Sequence, residues 1–415
     1  MKNFCGNKQY DKEKMKKNIL IVSLSFLVSL TLILAFVFLV MGPFDERGLD
    51  YKINDDGTTC SITGVGSCRA KKIEIPEYID GYQVTAVTKN AFKDYERLTE
   101  ITIPESVTIM EANLFYMCKN LTKVNIPQGV EALGAGIFYG CENLVSIQLP
   151  KNLKTIGKFA FTECKNLSSV VLPQTLTSLG EGTFYNCSSL QTITVPDGIT
   201  VIESALFYGC SQLKSIRFSD EVTEIGEMAF YGCSSLNELT VPDGVTVLEP
   251  WTFAHCTALE KVTLPDGITR IGDRAFSSCS SLGSIDIPEN VTSMGYYVFA
   301  ECKKLKEVEL PDSLSVIDTE IFYECTALER VTLSASLKSL TRNTFYKCGS
   351  LKEITIPVSV KKFEMVIFRD SGVEKIIYEG TAEQWESIEK SENWNRDMKA
   401  YEVICADGTV IRKSA

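Results

Sequence analysis

The stretch Leu144–Asn166, LVSIQLPKNLKTIGKFAFTECKN, decides the fold, because most of the chain consists of variants of it. A fixed period in the range of roughly 20–29 residues is typical of a solenoid, in which each repeat forms one turn of a coil. A central phenylalanine marks each copy. The thirteen phenylalanines in this register, 23 residues apart, are Phe92, Phe115, Phe138, Phe161, Phe184, Phe207, Phe230, Phe253, Phe276, Phe299, Phe322, Phe345 and Phe368.

Each copy contains two short apolar segments ahead of its phenylalanine. The first alternates apolar and polar residues, as in Ile101-Thr102-Ile103, which predicts a short strand with one buried face. A proline ends this segment in all copies except two, where Ser219 and Ser334 take its place, and proline suits a strand end because it cannot donate to a ladder. The second segment is an apolar pair such as Leu153 and Ile156. No single turn could bury these residues alone, so we expect stacked turns to share one core.

A column of cysteines shares the 23-residue period: Cys118, Cys141, Cys164, Cys187, Cys210, Cys233, Cys256, Cys279, Cys302, Cys325 and Cys348. Neither CxxC nor CxxH spacing occurs, so we predict no metal site. Disulfides between turns are an alternative, but equivalent side chains in a stack point the same way, which suits a disulfide dihedral near 90° poorly. We therefore predict buried thiols that fill space. The predicted core includes Phe138, Phe161, Phe184, Phe207, Phe230, Cys141, Cys164, Cys187, Cys210 and Cys233.

This pattern resembles the BspA-like (treponemal-type) leucine-rich repeats of bacterial and some protist surface proteins. The resemblance rests on the strand ending in proline, on the turn Ile225-Gly226 to Ala229-Phe230 and on the link Cys233 to Leu236. It implies a mainly β, right-handed leucine-rich-repeat coil of about thirteen 23-residue repeats with short strands, over residues 71–379. It also implies a surface-exposed protein that adheres to or binds a partner, and it supplies no catalytic residues.

The amino terminus predicts a membrane anchor. Residues 1–18 hold six lysines against two acidic residues, and residues 19–41 then run without a charge for a length that can span a bilayer. A cleaved signal peptide is an alternative, although this apolar run is long for one and Met41-Gly42-Pro43 is a poor cleavage site; a buried soluble helix is another. We predict a cytoplasmic basic tail (1–18), a transmembrane helix (19–41) and, by positive-inside bias, a single-pass membrane protein with its repeats outside the cell.

Atypical segments flank the repeats. Residues 42–70 predict a tether and an amino-terminal cap, with a hairpin from Tyr51–Ile53 and Thr58–Ile62. Residues 380–415 predict a carboxy-terminal cap, with a short helix that carries Trp385 and Ile388 and a final hairpin over residues 401–411. Cys60 and Cys68 lie outside the cysteine column, in a segment predicted to be extracellular. A disulfide between them and a pair of thiols are both open.

Two sets of residues are candidates for ligand binding. A tyrosine often follows the central phenylalanine, and a stripe that includes Tyr185, Tyr208 and Tyr231 is either a recognition surface or a stack that packs the corner of the coil. The solvent side of the first strand changes from turn to turn, as either a binding face or a merely solvated face would do. Its candidates are Arg217, Thr240, Thr263, Asp286 and Glu309.

Composition and motifs point away from catalysis. The single histidine, His255, occupies a variable position, so a Ser-His-Asp or Cys-His site would depend on that residue alone. No phosphate-binding loop occurs, and we predict no cofactor. With a net charge of −11, nucleic acid is a disfavoured partner. The sequence thus predicts a non-catalytic, membrane-anchored protein that binds a protein or glycan; an envelope scaffold that organises neighbouring membrane or cell-wall proteins is the alternative. The sequence leaves the oligomeric state open.

Overall fold

The computed structural model describes residues 48–414. The predicted cytoplasmic tail, the predicted transmembrane helix (19–41) and the first part of the predicted tether lie outside these residues. Within residues 48–414, no helix has the length and the apolar character that a bilayer crossing requires. Residues 48–50 and 65–69 form a small unit of their own, in which the Ser67 amide donates to the Gly48 carbonyl at 2.9 Å. The remaining described residues form the solenoid.

The elements of the described chain are short strands and one short helix. The first half contains β1 (Asp50–Ile53), β2 (Thr59–Gly64), β3 (Lys72–Glu74), β4 (Tyr78–Ile79), β5 (Tyr82–Val87), β6 (Glu100–Thr102), β7 (Ile109–Met110), β8 (Lys123–Val124), β9 (Ala132–Leu133), β10 (Ser146–Ile147), β11 (Thr155–Ile156), β12 (Ser169–Val170), β13 (Ser178–Leu179), β14 (Thr192–Thr194), β15 (Val201–Ile202) and β16 (Ser215–Arg217). The second half contains β17 (Glu224–Ile225), β18 (Glu238–Thr240), β19 (Val247–Leu248), β20 (Lys261–Thr263), β21 (Arg270–Ile271), β22 (Ser284–Ile285), β23 (Ser293–Met294), β24 (Glu307–Glu309), β25 (Arg330–Thr332), β26 (Ser339–Leu340), β27 (Glu353–Ile356), β28 (Lys362–Phe363), β29 (Lys375–Tyr378), α1 (Ala382–Ser387), β30 (Glu389–Lys390), β31 (Tyr401–Cys405) and β32 (Val410–Lys413).

The strands stack in two parallel columns, one for each apolar segment of the repeat. Column one consists of β3, β6, β8, β10, β12, β14, β16, β18, β20, β22, β24, β25, β27, β29 and β31. Column two consists of β2, β5, β7, β9, β11, β13, β15, β17, β19, β21, β23, β26, β28 and β30. The register follows the sequence period: Ile147 lies opposite Val170 in column one, and Ile156 opposite Leu179 in column two. The mainly β, leucine-rich-repeat solenoid predicted from the sequence is confirmed.

The central phenylalanines form a continuous stack inside the coil. All thirteen are fully buried, and successive ring centroids lie 5.3–5.8 Å apart with interplanar angles of 1–20°. Backbone hydrogen bonds hold successive turns of the coil, or rungs, at this spacing. The Phe138 amide donates to the Ala160 carbonyl at 2.8 Å, and the Phe230 amide donates to the Thr252 carbonyl at 2.9 Å. Stacked rings at this distance add to the free energy of burial.

Two left-handed residues flank each phenylalanine and turn the chain at this corner. The residue two positions before it has a positive φ, and so has the residue two positions after it, with values between 51° and 71° in all thirteen rungs. Glycine occupies some of these sites, such as Gly182 and Gly209, but most carry a side chain, among them Phe159, Trp251 and Val366. Most L-residues avoid this region, so the stack imposes the conformation on the chain.

The cysteine column lies beside the phenylalanine stack, and each thiol has a hydrogen-bond acceptor. All eleven cysteines are fully buried. Each Sγ lies 3.0–3.2 Å from the carbonyl oxygen of the phenylalanine 26 residues earlier in the sequence. The cysteines therefore link successive rungs through hydrogen bonds, in addition to filling space.

The repeat count from the sequence was too low, because the solenoid has about 15 turns and not thirteen. Column one continues past the last phenylalanine: β31 pairs in parallel with β29, and β30 pairs with β28 in column two. β29 and β31 thus begin two turns beyond the thirteen, and in the first of them Trp394 takes the aromatic position and meets Phe368 edge-on at 6.3 Å. This turn has a longer spacing and a tryptophan, so a search for phenylalanine at 23-residue intervals misses it.

The carboxy-terminal turns contain α1. Thr381 caps α1, with its side chain accepting from the Gln384 amide while the Gln384 side chain accepts from the Thr381 amide. Trp385 on α1 and Ile388 just after it are both buried. β32 then folds back antiparallel on β31.

Candidate binding surface

The strands of column one present a row of exposed side chains on successive rungs. Arg217, Thr240, Thr263 and Glu309 end β16, β18, β20 and β24, and Asp286 directly follows β22. All five are exposed, because they alternate with buried residues such as Leu239 and Val262. Thr240 and Thr263 are direct partners across the ladder. The frame is constant from rung to rung while these side chains differ, so the row can carry a specific surface.

The first three of these residues lie together in a groove of about 410 Å³, which we name groove A. Groove A crosses β16, β18 and β20, and it spans a break in the column-one ladder, because β16 pairs with β14 and β18 pairs with β20. Its lining includes Ser215, Arg217, Phe218, Asp220, Glu238, Thr240, Lys261 and Thr263.

The other two residues lie in a second groove of about 350 Å³, groove B, which crosses β22, β24 and β25. Its charged lining consists of Asp286, Glu289, Glu307, Glu309 and Arg330. Arg330 forms an ion pair with Glu307, the residue opposite it in the ladder. Groove B is therefore predominantly acidic, whereas groove A carries both signs of charge.

The tyrosines line neither groove A nor groove B. Tyr185, Tyr208 and Tyr231 stack face to face with centroid distances of 4.4 and 4.6 Å. Beyond them, Tyr231 packs against His255 at 4.9 Å. All three tyrosines are half-buried, and desolvation raises the pKa of Tyr185 and Tyr231 above the ordinary value. Because the ring faces cover one another, they offer little flat aromatic surface to a ligand.

The groove A residues that were not singled out from the sequence include Phe218, Asp220, Glu238 and Lys261. The sequence does contain a signal at this point, because Ser219 interrupts the proline series. The residue before it, Phe218, replaces the aliphatic residue that is found in the other rungs with a central phenylalanine, such as Val195 or Val241. The departure of this rung from the repeat consensus could therefore have pointed to Phe218.

Cys60, outside the cysteine column, and Cys256, within it, are both buried thiols. Cys60 is a buried thiol in the structure and not half of a disulfide, and its Sγ lies 3.6 Å from the Tyr82 carbonyl oxygen. The disulfide to Cys68 considered from the sequence is thus not formed here. In the column, burial raises the pKa of Cys256 to about 12, and its thiol donates to the Phe230 carbonyl at 3.2 Å. The neighbouring His255 is exposed, at one of the left-handed positions.

The chain is similar to one family model and to several solved structures. The model of the BspA type leucine-rich repeat region matches residues 65–189, 131–260 and 250–375. A leucine-rich repeat protein from Bacteroides ovatus is 25% identical, with 83% of this chain and 97% of that chain covered and a TM-score of 0.64. A leucine-rich cell surface protein from Faecalibacterium prausnitzii is 22% identical, with 84% and 97% covered and a TM-score of 0.46.

No curated protein matches the chain. The family model nevertheless spans most of the solenoid, from residue 65 to residue 375, and it matches in overlapping blocks, as expected for an uninterrupted array. With its 23-residue period, its two strand columns and its buried phenylalanine stack, this chain belongs to the BspA-type leucine-rich-repeat family.

Proposed function

We propose that this protein binds a protein partner through the exposed face of column one and carries out no chemistry of its own. One observation carries the proposal: Arg217, Thr240 and Thr263, which occupy equivalent outward positions on three successive rungs of a constant frame, line a common groove. Rigid repeat arrays use such extended faces for binding. Groove B continues this surface over later rungs, so a partner could contact several rungs at once.

A protein partner fits better than a glycan. Sugar rings commonly pack on exposed aromatic faces, and the tyrosine faces of this chain are occupied by one another. The column-one face instead offers hydroxyl groups and charges of both signs, such as Thr240, Arg217 and Glu238. Charged and hydroxyl side chains suit the polar surface of a protein, which they can match in hydrogen bonding and in charge.

We further propose that residues 19–41 anchor the protein in the cell membrane, with the solenoid outside. The uncharged run and the lysine-rich tail before it support this arrangement. Protease added to intact cells should then degrade the solenoid and spare a tag fused to the amino terminus. Protection of both parts, or release of the full chain without membrane extraction, would contradict the anchor.

The binding proposal is tested with the full chain immobilised by a carboxy-terminal tag. Surface proteins of host cells and envelope proteins of the producing cell are passed over it, and retained proteins are identified by mass spectrometry. The variant R217A/T240A/T263A should retain at least tenfold less of the partner than the wild-type protein does. The matched control is E224A, which changes an exposed residue of column two in the same rung as Arg217.

Equal retention by both variants would place binding elsewhere and contradict the proposal. Retention of proteins from the producer's own envelope alone would favour the scaffold over adhesion.

A further inference from the structure

Groove A lies where the repeat departs from its own pattern. At the inward position that ends the first segment, most other rungs have a buried aliphatic residue followed by proline, as in Val195-Pro196 and Val241-Pro242. Here the pair is Phe218-Ser219. The Phe218 ring meets the Phe230 ring edge-on at 5.9 Å, so it is held by the core, yet it is only half-buried and lines the groove. Groove A thus has a fixed aromatic side chain that is partly open to solvent.

The charges of groove A also differ from those elsewhere on column one. Where opposite charges lie opposite each other in the ladder, they usually pair: Lys123 contacts Glu100 at 2.7 Å, and Lys375 contacts Glu353 at 2.7 Å. Glu238 and Lys261 are likewise direct ladder partners. Within residues 48–414, however, neither takes part in an ion pair.

Arg217 and Asp220 add a second unpaired cation and anion to the same groove, since neither forms an ion pair with another described residue. Groove A therefore holds two positive and two negative side chains around a half-exposed phenylalanine, in a space of about 410 Å³. An apolar anchor surrounded by charged groups of both signs matches the composition of peptide-binding surfaces, in which a central aromatic residue contributes most of the binding energy.

We propose that groove A binds an extended peptide segment of a partner protein, in which an apolar side chain packs on Phe218 between one acidic and one basic residue. The acidic residue would meet Arg217 or Lys261, and the basic residue would meet Glu238 or Asp220. This inference rests on the proposed function and gives the chemical character of the partner.

The spacing of the charges follows from the geometry of the strands. Groove A crosses three rungs, and neighbouring strands lie about 4.7–4.9 Å apart, so its charged rows span on the order of 10 Å. An extended peptide advances roughly 3.3 Å per residue. The acidic and basic residues of the ligand should therefore stand about two to four positions apart, with the apolar residue between them.

The test measures binding of synthetic nonapeptides to the full chain by fluorescence anisotropy. The peptides carry a central leucine, with one glutamate and one lysine two to four positions apart in both orders; in control peptides glutamine replaces both charges. We expect one charge order to bind at least tenfold more tightly than the other order and than the controls. The variant F218A should weaken this binding at least tenfold, while F218L, which keeps an apolar side chain, should retain most of it.

The decisive variant exchanges the charges of the unpaired couple. E238K/K261E should reverse the preferred charge order of the peptides, whereas the matched exchange E307R/R330E, in the paired couple of groove B, should leave the order unchanged. Equal binding of all peptides, or an order that E238K/K261E does not reverse, would overturn the proposal. If the peptide test fails in this way but the wild-type protein still retains a partner that R217A/T240A/T263A loses, only the inference about the peptide has failed. If that retention is also insensitive to the triple variant, the proposed function has failed as well.

Discussion

The thiol of Cys233 donates a hydrogen bond to the carbonyl oxygen of Phe207 at 3.2 Å. The same carbonyl accepts the backbone amide of Cys210, in its own rung, at 3.1 Å. A carbonyl oxygen has two lone pairs, and this pair of donors uses both. A thiol and a backbone amide share a phenylalanine carbonyl in this way at all eleven cysteines of the column, and at Cys118 the amide is that of Tyr95. Cysteine suits the position because it is small, largely apolar and able to donate a weak hydrogen bond.

The column cysteines should be inert in the folded protein. Burial raises the pKa of Cys118 and of Cys256 to about 12, so the reactive thiolate is scarce at neutral and mildly alkaline pH. Treatment with iodoacetamide at pH 8 should leave all eleven unmodified in the native state and modify them after denaturation, as peptide mapping would show. Rapid native labelling of a column cysteine from the middle of the array would contradict this burial.

Removal of one ring from the phenylalanine stack should be costly. Phe230 is fully buried between Phe207 and Phe253, at centroid distances of 5.4 and 5.5 Å. Phe230→Ala should lower the free energy of unfolding by about 3–5 kcal/mol, because it removes a buried ring and leaves a cavity. Urea denaturation followed by circular dichroism measures the change. As a control, Phe159→Ala alters a partly exposed ring outside the stack and should cost much less; similar losses for both would argue against the stack as the main source of stability.

Relief of backbone strain at a left-handed position should stabilise the protein. Val366 has a φ of 51°, which is unfavourable for a β-branched residue. Asparagine tolerates this conformation, so Val366→Asn should raise the free energy of unfolding by up to about 1 kcal/mol. The opposite change is Gly182→Ala, at a φ of 58°, where a Cβ would lie 2.5 Å from the Phe159 ring and should destabilise the fold. Thermal melts of the two variants should move in opposite directions, and a shared direction would refute the explanation.

Acid should weaken a charged contact near the amino-terminal end of column one. Lys123 and Lys72, at 2.7 and 2.8 Å from its oxygens, lower the pKa of Glu100 from its ordinary value of 4.5 to about 2. A lowered carboxyl pKa stabilises the folded state above the unfolded value, and this contribution is lost as pH falls from about 4.5 to about 2. E100Q should therefore show a smaller loss of melting temperature across this window than wild type. E74Q, which alters an exposed carboxylate without an ion pair in residues 48–414, should follow the wild type; identical curves for all three proteins would contradict the assignment.

The spacing of residues in the sequence predicted the solenoid because burial imposes it. A phenylalanine every 23 residues and an alternating segment such as Ile101-Thr102-Ile103 can be satisfied together only by stacked turns. The left-handed positions gave no comparable signal, because residues as different as Phe159, Trp251 and Val366 occupy them. Backbone hydrogen bonds between successive rungs fix the conformation of these residues, and a single sequence does not show which positions are constrained in this way.

The candidate surface was predictable only in part. Arg217, Thr240 and Thr263 follow from strand alternation, since each occupies the outward position at the end of its strand. That Glu238 and Lys261 lie opposite each other in the ladder and yet form no ion pair within residues 48–414 could not be predicted, because ion pairing depends on side-chain directions. Phe218 could have been singled out, since it stands beside the interrupted proline series. The extra rung at Trp394 was missed for a related reason: it conserves the aromatic packing while changing both the residue type and the spacing.

The uniform register has a consequence for how such a gene can change in length. Equivalent residues of neighbouring rungs lie opposite each other. Thr192, for example, pairs with Ser215, which lies one repeat period later in the sequence. Excision of residues 190–212 would join Ser189 to Leu213, and the junction would reproduce a sequence neighbourhood already present elsewhere in the array. Unequal recombination between copies can therefore shorten or lengthen the protein by whole repeat periods without disturbing the packing at the junction. A deletion one residue longer or shorter than a whole period would instead put every inward side chain of the adjoining turn out of phase.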